Sequence, residues 1–174
     1  MASPRVLAVK NLGRMAYKPA IKTMKDYEKR KLDFTKEKIC EQPIDTLFLV
    51  EHNPVYTIGN RMADYLGQSN NSGTDQPEST EQRLRALGAE FHVSNRGGLI
   101  TYHGPGQLVC YPVINLKNYT ASVRWYINSL EDVIINSCAE FGVKVGRTND
   151  IGVWIENRKI AAIGMWYGIA ASTH

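Results

Sequence analysis

Apolar side chains along this chain follow two rhythms. Tyr17, Ala20, Ile21, Met24 and Tyr27 recur every three or four residues, which predicts an amphipathic helix over Tyr17–Leu32. Pro19 suits its first turn, where a missing N–H costs nothing. Val123, Ile127, Leu130, Ile134, Cys138 and Phe141 repeat the rhythm and predict a second long helix with one buried stripe, closed by Gly142. Shorter apolar runs predict strands at Arg5–Lys10, Thr46–Glu51, Val55–Ile58, Ala89–Ser94, Leu99–His103 and Leu108–Ile114. His52-Asn53-Pro54 supplies turn chemistry between the second and third of these. Ile151–Ile155 and Lys159–Ile163 read as a hairpin around Asn157-Arg158. The polar segment Asp64–Ser79 reads as a mobile loop, after which Ser79 or Thr80 caps a short helix through Leu87 that ends at Gly88. Strands mixed with a few helices give an α/β or α+β class, and 174 residues without internal repeats suit a single domain over residues 1–174.

Composition narrows the picture modestly. An apolar share of 43% with 22% charged residues is that of a globular protein, and no apolar run is long enough for a membrane helix. The charge is uneven. Residues 1–38 hold eleven Lys/Arg against four Asp/Glu (11 − 4 = +7), while the remainder is slightly acidic. This basic amino-terminal segment is either a solvated helix face or a surface that attracts acidic partners. No nucleic-acid-binding signature accompanies it, so nucleic acid is not an expected partner. Cys40, Cys110 and Cys138 are odd in number and widely spaced, which argues against a disulfide framework and a metal site and for a reducing compartment. The amino terminus lacks the apolar core of a secretory signal and is a weak match to a mitochondrial presequence.

The most informative stretch is RGGLITYHGPGQLVCYP, Arg96 to Pro112. Gly97, Gly98, Gly104 and Gly106 crowd around Thr101, Tyr102, His103 and Gln107. Glycine at this density lets backbone approach a ligand closely and frees amides as donors. The spacing fits neither a dinucleotide loop nor a Walker loop. Two readings stand on the residues alone: a glycine-rich binding turn presenting a histidine, or a tight turn in a sheet with a structural histidine.

The same stretch resembles the signature of the octanoyltransferase (lipoyl transferase) family. GVWIENRKIAAIG, Gly152 to Gly164, looks like a second block of that family, and NPVYTIG at Asn53–Gly59 and ALGAE at Ala86–Glu90 are weaker matches. The resemblance is densest over residues 41–174. It implies a mixed sheet flanked by helices, as in the catalytic fold of biotin- and lipoate-protein ligases. It also implies a two-step acyl transfer from octanoyl-acyl carrier protein, through a cysteine thioester, to a lysine of lipoyl domains. Those domains belong to 2-oxoacid dehydrogenase complexes and the glycine cleavage H protein, and the setting is mitochondrial. No cofactor, metal or membrane is required. By carry-over, Lys159 is the catalytic partner that lowers the thiol pKa, and His103 lies close to the reacting centre. Arg96, Gly97, Gly98, Leu99, Ile100, Thr101, Tyr102 and His103, with Ala162, Ile163 and Gly164, line the acyl pocket. A nearby ammonium matters because a free thiol of pKa about 8.5 is mostly protonated at neutral pH.

The chain departs from the family in two respects, the lesser being Met165-Trp166-Tyr167 where the family usually carries a basic residue after A-I-G. The family nucleophile lies in a P-C-G block downstream of a T-x-H segment, and no P-C-G occurs in these residues, whose last three are Ser172-Thr173-His174. Cys110 sits in a strand and Cys138 on the helical stripe, where thiols are usually inert. The expectation is a chain cut before its nucleophile and unable to turn over by itself. Two alternatives accompany this reading: an ATP-dependent lipoate or biotin ligase of the same architecture, and a non-catalytic binder of acyl-carrier protein or lipoyl domains.

Overall fold

A computed structural model describes residues 6–39, 43–59, 77–94, 96, 99–166 and 172–173. Backbone contacts divide the chain into two compact units: residues 1–114 with 165–173, and residues 115–164 with 174.

The first unit begins with a β-α-β element: β1 (Leu7–Met15), α1 (Tyr17–Thr35) and β2 (Asp45–His52). Its strands run parallel, so α1 serves as the crossover that parallel pairing demands. β1 runs past the predicted Arg5–Lys10 because a bulge between Asn11 and Arg14 resets its register rather than ending it. β6 (Val109–Val113) pairs antiparallel on the far side of β2, giving the order β1-β2-β6. Alternate residues of the central strand, Thr46, Phe48, Val50 and His52, are buried. They lie opposite Val113, Tyr111 and Val109 of β6, and the buried face of α1 (Ala20, Met24) closes the core over them. A buried ion pair ties the end of α1 to the start of β2: Lys31 Nζ lies 2.5 Å from Asp45 Oδ1 and donates also to the Pro43 carbonyl.

The opposite face of α1 carries Lys18, Lys22, Lys25 and Lys29, all exposed and spaced by four, three and four. Of these, Lys22 pairs with Asp26.

A second mixed sheet has the order β4-β3-β5, from β3 (Val55–Ile58), β4 (Glu90–Val93) and β5 (Ile100–His103), with α2 (Pro77–Ala86) in the crossover from β3 to β4. Among the described residues this sheet is separate from β1-β2-β6, and the Asn53-Pro54 turn lies between β2 and β3. The predicted loop Asp64–Ser79 lies outside the described residues except at its end, where α2 has already begun at Pro77. A pair of two-residue strands, β9 (Met165–Trp166) and β10 (Ser172–Thr173), completes this unit.

The second unit holds α3 (Val123–Glu140) and the hairpin β7 (Val153–Ile155) with β8 (Arg158–Ala161). Ser122 caps α3 through its side chain. The stripe expected to be buried here is only half-buried, and Phe141 is 84% exposed; the buried residues of α3 are Tyr126 and Glu131. Phe141 falls just past the last helical turn, where Gly142 (φ 70°) redirects the chain. The hairpin turns at Glu156-Asn157, one residue earlier than predicted, with Glu156 in the left-handed region at φ 52°.

Candidate active site

His103 ends β5 and is buried. The chain turns immediately after it at Pro105-Gly106, and the φ of +85° at Gly106 is one that other residues rarely adopt. The turn brings Gln107 back, with its N–H on the Gly104 carbonyl and its side-chain oxygen 2.6 Å from His103 Nδ1. Nδ1 therefore carries the proton as donor, and Nε2 is left as the acceptor. Burial holds the imidazole pKa below its ordinary value of 6.5; Gln107 opposes the shift and the Arg96 cation adds to it. His103 is thus a neutral imidazole at neutral pH, and a base by its Nε2.

Arg96 is buried and does not reach outward. Its Nη2 donates to both the carbonyl and the hydroxyl of Thr57 at 2.8 Å, clamping the segment after β4 onto β3. Its charge is felt at Tyr17, Tyr111 and His103. Around it lies a layer of rings. Tyr17 stacks on His92 with centroids 5.2 Å apart, and it tilts against His52, which sits edge-on to both His103 and Tyr111. His52 is fully buried; Tyr111 donates its hydroxyl proton to His52 Nε2 at 2.8 Å, and His52 Nδ1 faces the Met15 carbonyl at 3.4 Å. Burial lowers the His52 pKa and raises that of Tyr111, so the pair is neutral. Tyr17, His52 and Tyr111 were not singled out from sequence. His52 had been read as a turn residue; the signal available was its place in phase with Phe48 and Val50.

The remaining predicted pocket residues of β5 are more open. Leu99, Ile100 and Tyr102 are 59%, 40% and 45% exposed, and Thr101 is half-buried. Ile100 also lines an open groove of about 450 Å³ with Leu84, Leu87 and Arg83 of α2 and the turn after it. Gly97 and Gly98 lie outside the described residues.

Lys159, Ala162, Ile163 and Gly164 belong to the second unit. Lys159, on β8, is exposed; its Nζ donates to the Ile151 carbonyl at 2.8 Å and sits 4.7 Å from the centroid of the Trp154 ring. Ala162 is exposed, and Ile163 and Gly164 are half-buried.

Cys110 faces away from Tyr111 on β6, and burial pushes its thiol pKa up. Cys138 is half-buried on α3. Cys40 lies outside the described residues. No group of three or more His, Cys, Asp or Glu among the described residues is arranged to hold a metal ion.

Residues 26–174 match the family model of the lipoyl protein ligase A/B catalytic domain. The chain belongs to this family. Within it, the likeness is to octanoyltransferases. The chain is 45% identical over 164 residues to the mitochondrial octanoyl-[acyl-carrier-protein]:protein N-octanoyltransferase LIPT2 of Danio rerio, covering 94% of this chain and 66% of that protein. It is 37% identical over 176 residues to the mitochondrial octanoyltransferase LIP2 of Arabidopsis thaliana, covering all of this chain and 68% of that one. It spans about two thirds of the length of these two relatives. Its fold is that of the lipoate ligases: P. falciparum LipL1, solved in complex with lipoate, superposes with a TM-score of 0.63 over 97% of this chain and 46% of that one, at 13% identity. The resemblance read from Arg96–Pro112 and Gly152–Gly164 and the expected fold are both borne out.

Proposed function

We propose that this chain supplies the acyl-binding and lysine-presenting part of a mitochondrial octanoyltransferase, which moves octanoyl from acyl carrier protein to a lysine of lipoyl domains. The observation that carries the reading is the identity to named octanoyltransferases along nearly the whole chain, both signature blocks included. The family model spans both structural units, which supports treating them as parts of one catalytic domain.

The reaction needs a thiolate to take the acyl group as a thioester, then an acceptor amine to displace it. An amine attacks only as its free base, so it must lose a proton, and the base assigned to this role is His103, whose neutral imidazole leaves Nε2 as an acceptor. Lys159 provides a cation to favour a nearby thiolate. Arg96 fixes β3 against the segment after β4, and Leu99 to Tyr102 offer a wall for an eight-carbon chain; Ala162 to Gly164 enter the acyl-binding reading by their match to the family block alone. The four-lysine face of α1 suits acidic protein partners, among them acyl carrier protein and the lipoyl domains of 2-oxoacid dehydrogenase complexes and H protein.

The test is binding and acylation together. The 174-residue chain is expected to bind octanoyl-carrier protein more tightly than the unacylated carrier, and to show no octanoyl mass adduct, since burial disfavours the Cys110 thiolate and none of the three cysteines lies in a P-C-G block. Equal affinity for the two carriers would sink the acyl-pocket reading. Pyrophosphate release from ATP with free octanoate or lipoate would favour the ligase alternative instead.

A further inference from the structure

Lys159 does not rest on a passive surface. Its ammonium donates to the Ile151 carbonyl. The N–H of that same peptide unit, belonging to Gly152, donates to Glu131 Oε1 at 2.9 Å. One peptide plane is therefore held between a carboxylate on one side and an ammonium on the other. Glu131 comes from α3 and is 5% exposed; its other oxygen accepts from Arg147 Nε at 2.7 Å, and Arg147 also bonds Asp132 and the Asn128 carbonyl. Gly152 is required at the centre. Its φ is +124°, and a Cβ there would lie 2.5 Å from the Ala161 carbonyl oxygen and 3.3 Å from Cδ and Cε of Lys159 itself. The lysine stem thus lies across the bare α-carbon, with the Trp154 ring face near its charged end.

We infer that Glu131 is a positioning residue for Lys159, acting through the Ile151–Gly152 peptide. The inference rests on the reading of Lys159 as the cation that serves the thiol. A glycine can rotate its peptide plane at little cost, and rotation would turn the Ile151 carbonyl away from the ammonium. The buried carboxylate fixes that plane. Hydrogen bonds in series through one amide also polarise each other, so the carboxylate strengthens the carbonyl as an acceptor. The Arg147 pair keeps the carboxylate in place, and the seat for the catalytic cation is built from α3 outward.

The experiment compares Lys159 with exposed Lys144 by reductive methylation and mass spectrometry in the 174-residue chain, without carrier or acyl group. In Glu131→Leu the Lys159-to-Lys144 labelling ratio is expected to rise roughly threefold to tenfold, the size of one ordinary hydrogen bond lost, since the carboxylate acts on the ammonium only through the intervening peptide. Glu131→Gln, which retains an acceptor, is expected to fall between Leu and wild type. The Gly152 amide resonance should move upfield in the same order. Should Glu131→Leu fail to fold, the near-isosteric Gln variant decides the matter by the same two readouts. A wild-type labelling ratio in folded Glu131→Gln, with release of Lys159 only in Trp154→Leu, would overturn the inference and assign the seat to the indole. Because no acyl group is present, this outcome is independent of the acyl-binding test.

Discussion

The two units treat their signature cations in opposite ways. Arg96 is buried, bonded to a threonine and surrounded by neutral rings, so its charge acts inside the fold. Lys159 is exposed, held by a carbonyl and the face of an indole, so its charge is available outside. The difference teaches that a motif match in a sequence does not say on which side of the surface a charge will work. One cation shapes the protein; the other is presented by it.

That contrast can be broken by substitution. Arg96→Met should cost about 3 kcal/mol, since it leaves buried acceptors on Thr57 unpaired and removes a packed side chain. Urea unfolding would measure it, and a loss below about 1 kcal/mol would mean the clamp is incidental. Acidification should have a smaller effect. Both His52 and His103 have folded-state pKa values below the ordinary 6.5. Below that pH the unfolded chain binds more protons than the folded one, so stability is full above it and declines as pH falls toward the folded values. Melting temperature is expected to drop between pH 7 and 5.5, and His103→Asn should flatten part of the slope; a slope unchanged by this substitution would place the titration elsewhere. Lys159→Met is the smallest case for stability, within about 0.5 kcal/mol because the side chain is exposed. A large loss on that change would erase the distinction between the two cations.

What could be read from the sequence follows from the range of the forces involved. α1 and the strands β2 and β3 were legible because their burial follows the local period, and the hairpin was found to within one residue because its pattern is local. The roles of His52 and Arg96 were not. His52 meets Tyr111 across 59 residues and Arg96 meets Thr57 across 39; the phase of His52 with Phe48 and Val50 points to burial, but nothing in a local window names the distant partner. Likewise the stripe on α3 predicted an apolar buried face, whereas the buried Glu131 is explained only by Arg147 and Gly152, which arrive later in the chain. Lys159 was legible as a candidate through family resemblance; by itself it is one more surface lysine after a turn.

β2 is the central strand of its sheet, with β1 before it and β6 far after it in the chain. A nascent polypeptide can therefore make β1, α1 and β2 early, yet one edge of β2 stays unpaired until residues as late as Val113 have been synthesised. Closing such a distant pairing carries a loop-entropy cost and slows folding. During that interval the TLFLV segment of β2 is an apolar strand with an open edge, the feature through which chains add to one another. A newly made or newly imported copy of this chain should thus depend on holdase chaperones until β6 arrives.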